Sequence, residues 1–365
     1  MSETKPLRVL CITRAYGEDK GGMERLSFEL ISEVGKLPDV EASALAHKGP
    51  KWLAPLFALT VIPAALAAAR PVDVMHIGDP VLSFTGWVLK KITGKPVAVT
   101  VHGLDITFSN AFYQAYLTLF FRSLDLFLPI SEHVDTLLRD RIKNNELSIE
   151  VVNPGIHDRF YDPSLTRDHL RQLLNSYSLT LDSEHKVLFT SGRLVNRKGH
   201  AWFIEHVLPR LAEAESEGGP KILYVIAGTG LESERIRSLA GDNVVLLGRV
   251  SENDLKVLYN TVDVFVQPNI SVPGDVEGFG LVLLEAALCN RPVIASKLEG
   301  MTDAIQDGKN GALIEAGNAD AWVHTLRSQL TQDGSVTMAR DHTLERFNWR
   351  KKAQAFVDAL TIVAT

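Results

Sequence analysis

Short apolar runs alternate along the chain with longer stretches whose apolar residues recur three or four apart. The first run, Leu-Arg-Val-Leu-Cys-Ile-Thr over residues 7–13, reads as a strand. A glycine loop follows at 17–25, then an amphipathic helix over about 23–34. Further strands are predicted at 40–46, 72–77, 96–102, 125–130 and 148–152, with helices at 81–91, 110–122 and 132–142. A polar stretch at 158–184 carries one helix, at 167–177, and holds the interdomain connection. The pattern then restarts. Strands are predicted at 186–191, 221–227, 244–250, 263–268 and 292–296. Helices are predicted from 200 to about 213, at 281–288 and at 319–330, with a last one at 349–360. Ser251 is a helix cap, and Asn310-Gly311 a turn. Strands with intervening helices imply parallel sheets covered on both faces. Two such runs imply two domains, 1–165 and 166–346, followed by a terminal helix within 347–365.

One stretch stands out, Gly274-Asp-Val-Glu-Gly-Phe-Gly-Leu-Val-Leu-Leu-Glu-Ala-Ala-Leu288. Its glycines, Gly278 and Gly280, let the backbone take positive φ and approach a ligand closely. Residues 281–288 are apolar all round except for Glu285, so the helix is expected to be buried. Glu285 then needs a partner, because an unpaired buried charge is expensive. The amides opening this helix form an anion site, and a carboxylate about a turn further on suits a diol. A nucleotide has both groups. The plainer alternative is that Glu285 pairs with a core arginine or caps a neighbouring helix.

Other loops repeat this theme. His102 ends a predicted strand, where crevices of open α/β sheets lie. It either hydrogen-bonds a ligand or is satisfied by a nearby carbonyl. Gly192-Arg-Leu-Val-Asn-Arg-Lys-Gly-His200 sets cations between glycines after a strand. It suits a phosphate pair, or is a solvated basic loop. Gly21-Gly22 is a ligand-facing loop or an ordinary tight turn. The first loop is not G-x-G-x-x-G, so a dinucleotide fingerprint is absent.

Composition narrows the field. The chain has 365 residues, 45% hydrophobic, with mean hydropathy +0.04, as expected of a soluble two-domain protein. Its net charge is −6, and no basic block suggests a nucleic-acid partner. Cys11 and Cys289 read as reduced core thiols of a reducing compartment. The N-terminus is polar and runs straight into a strand, unlike a signal peptide. Residues 52–69 approach the ~18–20 residues of a membrane span. Two internal prolines, seven alanines and the flanking Lys48, Lys51 and Arg70 argue for a core or surface helix, with shallow docking on a membrane as the sharper alternative.

From Glu277 to Glu285 the sequence reads Glu-Gly-Phe-Gly-Leu-Val-Leu-Leu-Glu. This resembles the E-x7-E motif of retaining glycosyltransferases of the GT-B fold, family 4 (group 1) in particular. Gly-Gly-x-Glu-Arg at 21–25, His102-Gly103, Gly192-Arg193-Leu194 with Lys198-Gly199, the 153–157 turn and residues 300–308 match the family in order. The resemblance implies an α/β chain of two Rossmann-like parallel-sheet domains facing a cleft, with the terminal helix in 347–365 crossing back to the first domain. It implies transfer of a sugar from a UDP- or GDP-sugar, with retention, to a glycan or lipid-linked glycan. In it Arg193 and Lys198 clamp the donor phosphates, aided by the helix start at Phe279-Gly280-Leu281. Glu285 holds the ribose hydroxyls. Gly228 and the backbone around Val250 frame the base. His102 and Glu277 face the sugar, and Gly21-Gly22 lie against the diphosphate or the acceptor.

No Asp-x-Asp metal motif stands beside these groups. The two cations can replace a metal, so no divalent ion and no cofactor are expected. Two departures bear on sugar and acceptor: residues 269–275 are longer than the common form, and Asp303 stands where many relatives carry Glu. The expected setting is cytoplasmic, at the inner membrane face if the acceptor is lipid-linked. Neither the acceptor nor the oligomeric state is legible. Rival readings are a sugar-nucleotide epimerase, a phosphorylase (which would need a pyridoxal lysine and a longer chain) and a non-catalytic nucleotide-binding or scaffold protein.

Overall fold

Strands dominated by Val, Ile and Leu with no polar alternation need cover on both faces, and both sheets have it. The computed structural model describes residues 5–18, 21–49, 51–142, 147–216, 219–331 and 339–364. The polar N-terminal start at 1–4 and residues 19–20 of the first glycine loop lie outside the described residues. The chain divides into two compact units. One comprises Met1–Gly155, Gly274–Phe279 and Phe347–Thr365, and the other Ile156–Pro273 and Gly280–Arg346.

In the first unit β1 (Leu7–Thr13), β2 (Val40–Ala46), β3 (Val74–Ile77), β4 (Val97–Val101), β5 (Leu126–Pro129) and β6 (Ser148–Ile149) are all parallel, in the order β2-β1-β3-β4-β5-β6. Chain order reverses between β1 and β3. The helices Gly22–Val34 and Trp349–Thr361 pack together, and their buried residues join those of β1, β3, β4 and β5 in one apolar core. The second unit holds β7 (His185–Ser191), β8 (Lys221–Ala227), β9 (Val244–Gly248), β10 (Val264–Gln267), β11 (Val293–Lys297) and β12 (Ala312–Glu315). Their order is β12-β11-β10-β7-β8-β9, with the reversal between β7 and β10. Trp322, Phe203 and Tyr224 are fully buried in its core. In open α/β sheets ligands bind outside the carboxyl ends of the strands at such reversals.

Two predicted helices are broken, both by proline. The helix expected from 200 to 213 is two, His200–His206 and Leu208–Ser216. Pro209 has no N–H to give Glu205, and its ring crowds that carbonyl. The apolar stretch 52–69 forms a turn at Lys51–Leu53 and two helices, Ala54–Thr60 and Ile62–Ala68, each with a proline in its first turn. Among the described residues no helix is long and apolar enough to cross a membrane. β12 and the helices Ser233–Leu239, Met301–Ala304 and Ala339–Phe347 have no counterpart in the sequence reading. Cys11 and Cys289 are both buried and free.

Candidate functional site

At the β1/β3 reversal of the first unit the strand ends are pinched. A Cβ on Gly78 would stand 2.7 Å from Thr13 Oγ1. The loop after β1 leads to Gly21-Gly22, both exposed, where the 13-residue helix Gly22–Val34 starts without a side-chain cap. A glycine N-cap offers these first amides no side-chain acceptor of its own. His102 follows β4. Its Nε2 lies 3.0 Å from the Gly78 carbonyl. A carbonyl can only accept, so Nε2 carries a proton, which leaves Nδ1 as the acceptor in the corresponding neutral tautomer. The alternative of a histidine satisfied by a carbonyl is thus realised on one ring nitrogen.

Asp105 holds this turn by accepting the His102 backbone N–H at 2.9 Å, and Tyr113 donates to the Asp105 carbonyl. Burial pushes the Asp105 carboxyl above its usual range. Beside it Arg14 pairs with the buried Asp79 at 2.9 Å.

Residues Gly274–Phe279 lie against the same turn. A Cβ on Gly278 would stand 2.2 Å from the His102 carbonyl oxygen, and Thr107 donates to the Gly274 carbonyl. Gly278 is glycine because two backbones meet there. The contact sets half-buried Glu277 beside His102-Gly103. Phe279 is buried with its ring edge-on to Phe347, so only its backbone is left for a ligand.

In the second unit the loops after β7, β8 and β9 are stitched together. Gly192 N–H bonds to the Ala227 carbonyl, and Gly228 N–H to that of Gly248. Gly228 has φ 147°, and a Cβ there would stand 1.8 Å from the Gly192 carbonyl oxygen. Gly199 is equally constrained, its Cβ position 1.8 Å from the Pro268 carbonyl. Gly199 closes the turn Asn196–Lys198. Arg197 and Lys198 are buried in that turn while Arg193 is exposed. Lys198 Cε runs 3.9 Å from the Cβ position of Gly192, at the carboxyl edge of β7. Val250 follows β9, half-buried.

Gly280, at φ 88°, opens the eight-residue helix Leu281–Leu288, again with no side-chain cap. Half-buried Glu285 lies on it. Arg159 donates to its Oε1 at 3.0 Å and Tyr259 to its Oε2 at 2.8 Å. The Tyr259 hydroxyl is also 2.7 Å from Ser191 Oγ at the end of β7. Burial, and then the Glu285 charge, push the Tyr259 phenol well above its ordinary value, so it remains a donor. The plainer alternative, pairing with an arginine, is therefore what the structure contains, though Arg159 is half-buried, and Tyr259 and Ser191 tie Glu285 to the strand that leads into Gly192-Arg193.

Sequence reasoning missed Arg159, Tyr259, Ser191 and Asp105. The demand for a partner to Glu285 was legible, but which residues would answer it was not. Among the described residues no group of three or more His, Cys, Asp or Glu is arranged to hold a metal ion.

Several known proteins are similar. An uncharacterised glycosyltransferase of Methanocaldococcus jannaschii is 26% identical over 308 residues, 80% of this chain and 75% of its own. The GDP-mannose-dependent alpha-(1-6)-phosphatidylinositol monomannoside mannosyltransferase of Mycolicibacterium smegmatis is 28% identical over 227 residues, 59% of this chain and 56% of its own. Anabaena HepE, solved in complex with UDP and glucose, has the same fold, with a TM-score of 0.72 at 18% identity over 98% of this chain and 100% of that one. Residues 13–160 match the family described as Glycosyltransferase Family 4, and residues 185–332 that described as Glycosyl transferases group 1. With both halves matched, each on its own six-stranded parallel sheet, the chain belongs to the group 1 (family 4) glycosyltransferases of GT-B fold, a family of transferase enzymes.

Proposed function

We propose that the chain transfers a sugar from a UDP- or GDP-sugar to a glycan or lipid-linked glycan, with retention and without a divalent metal. One observation carries this reading. Glu285 stands on a helix whose open amides follow Gly280, and Tyr259 and Ser191 link it to the end of β7, where Gly192, Arg193 and Lys198 begin. Diol-binding and diphosphate-binding groups thus share one framework. The names of similar proteins support the donor class: HepE was solved with UDP and glucose, and the mycobacterial enzyme is GDP-mannose-dependent.

In this reading Glu285 accepts from the ribose hydroxyls, held in place by Tyr259 and Arg159. As the bond from the anomeric carbon to the diphosphate breaks, negative charge grows on the leaving group. Arg193, Lys198 and the amides after Gly280 stabilise it, as preorganised donors do where water is excluded. Arg193 and Lys198 supply the neutralisation for which other transferases use a metal. Gly228 and the backbone near Val250 border the base. His102 Nδ1 and Glu277 face the sugar, and the helix start at Gly21-Gly22 adds uncapped amides. The mycobacterial relative's name includes a phosphatidylinositol acceptor, which supports a lipid-linked acceptor at a membrane face.

The test is calorimetric titration with UDP, GDP and ADP, followed by hydrolysis and transfer assays with the matching sugar nucleotide in a chelator. Selective binding of one nucleotide and turnover of its sugar form are expected. Binding of none of the three would make the scaffold reading the better one, and turnover only on adding a divalent ion would remove metal independence.

A further inference from the structure

The turn Lys51–Leu53 and the helices Ala54–Thr60, Ile62–Ala68, Ser83–Thr93 and Ala111–Phe120 pack against one another in the first unit. Their inner sides are filled, with Ala58, Val61, Ala65, Leu89 and Leu117 buried. Phe84, Trp87, Tyr116 and Phe120 interlock at ring separations of 5.1–6.0 Å.

The outer sides are apolar too. Trp52, Leu56 and Leu59 follow one helical stripe, and Phe112 and Leu119 another. Trp52 is 77% exposed and Phe112 88%. Nine large apolar side chains are more than half exposed among the described residues, and seven of them lie between Trp52 and Leu119. Scattered singles need no explanation, but this concentration marks an interaction surface.

Charge identifies what it meets. Residues 47–125 hold seven lysines and arginines and four aspartates, in a chain of net charge −6. The four acids are turned inward: Asp73 bonds Arg8, Asp79 bonds Arg14, Asp105 bonds the His102 backbone and Asp125 bonds Lys90. None of them is exposed, whereas Lys48, Arg70, Lys91 and Arg122 are.

We propose that this helical layer docks on an anionic lipid bilayer, its aromatic and leucine side chains entering the headgroup boundary and its cations meeting lipid phosphates. Apolar stripes flanked by cations with no exposed acid are what an anionic interface binds. Two copies of the chain placed face to face would oppose like charges. The proposal rests on the transferase reading only for its purpose, since it names the surface where a lipid-linked acceptor would be met.

Co-sedimentation of the full chain with vesicles, free of donor and acceptor, separates the two readings. One vesicle is phosphatidylcholine alone and the other contains about a third phosphatidylglycerol. The chain is expected to sediment with the second only, less so as salt rises. Trp52→Glu with Phe112→Glu should lower the bound fraction at least about tenfold, with nucleotide binding and the unfolding midpoint kept. Leu231→Glu, at a side chain 94% exposed on the second unit, should change nothing. Equal binding to both vesicles, or none, would overturn the proposal. So would unchanged sedimentation of the double variant, or a dimer in solution that the double variant dissolves.

Discussion

A Cβ on Gly228 would fall 1.8 Å from the Gly192 carbonyl, at a φ of 147°. No side-chain rotation relieves that, so the two loops must part. Gly228→Ala is expected to cost about 3 kcal/mol or more of stability, read from chemical denaturation, and to weaken nucleotide binding through the displaced Gly192 loop. Lys198 and Glu285 act differently. Lys198→Ala should lower turnover about a hundredfold to a thousandfold, the scale of losing one preorganised group at a developing charge. Glu285→Ala removes one partner from each of Arg159 and Tyr259, so it should also cost about 2 kcal/mol of stability. Full transfer in either variant would remove that residue from the site.

Helix Leu281–Leu288 shows what an element adds to its residues. Its residues 283, 284 and 286–288 are buried, so the donors to half-buried Glu285 are dictated by the neighbours packed around them. Helix Glu252–Thr261 is fastened by a capping box between Ser251 and Asp254, and Ser251→Ala should cost about 1 kcal/mol. It presents Tyr259 to Glu285, so the same change should weaken nucleotide affinity slightly.

β3 and the helix His200–His206 each hold a buried histidine, His76 and His200. Burial takes both pKa values down to about 3, with further lowering by His102 and Lys198 respectively. Such a histidine binds fewer protons folded than unfolded, so its stability contribution is complete above the unfolded value and falls as pH drops below it. Each should cost about 1.4 kcal/mol per pH unit below about 6.5. Denaturation at pH 7 and pH 5 measures this. His76→Phe should flatten the dependence even though it loses the bond to Thr100.

At the scale of the whole molecule, binding free energy and stability are linked. The matching nucleotide at a hundredfold its Kd should add about 2.7 kcal/mol to stability, and Lys198→Ala should abolish most of that gain. A nucleotide that bound with no gain in unfolding midpoint would be engaging the unfolded chain equally. The surface that vesicles would meet likewise exists only once four helices and a turn have assembled.

Much was legible without coordinates. Parallel strands buried on both faces must be continuous apolar runs, and helices between them must be amphipathic, so the order of elements and the α/β class follow from local pattern. Glycines between strand and helix marked the loops that carry His102, Arg193, Lys198 and Glu277. The prolines at which helices break, Pro55, Pro63 and Pro209, stand in the sequence as well. The tertiary structure alone decided which partners meet. Arg159 and Glu285 are 126 positions apart, and Ser191 and Tyr259 are 68 apart. Nothing in either local stretch encodes such a pairing, because strand order and helix packing bring the residues together. The same holds for Gly228, whose necessity lies in a carbonyl from another strand's loop. It holds also for the outward turn of Trp52 and Phe112, since a helix pattern shows that a face is apolar but not whether a neighbour covers it.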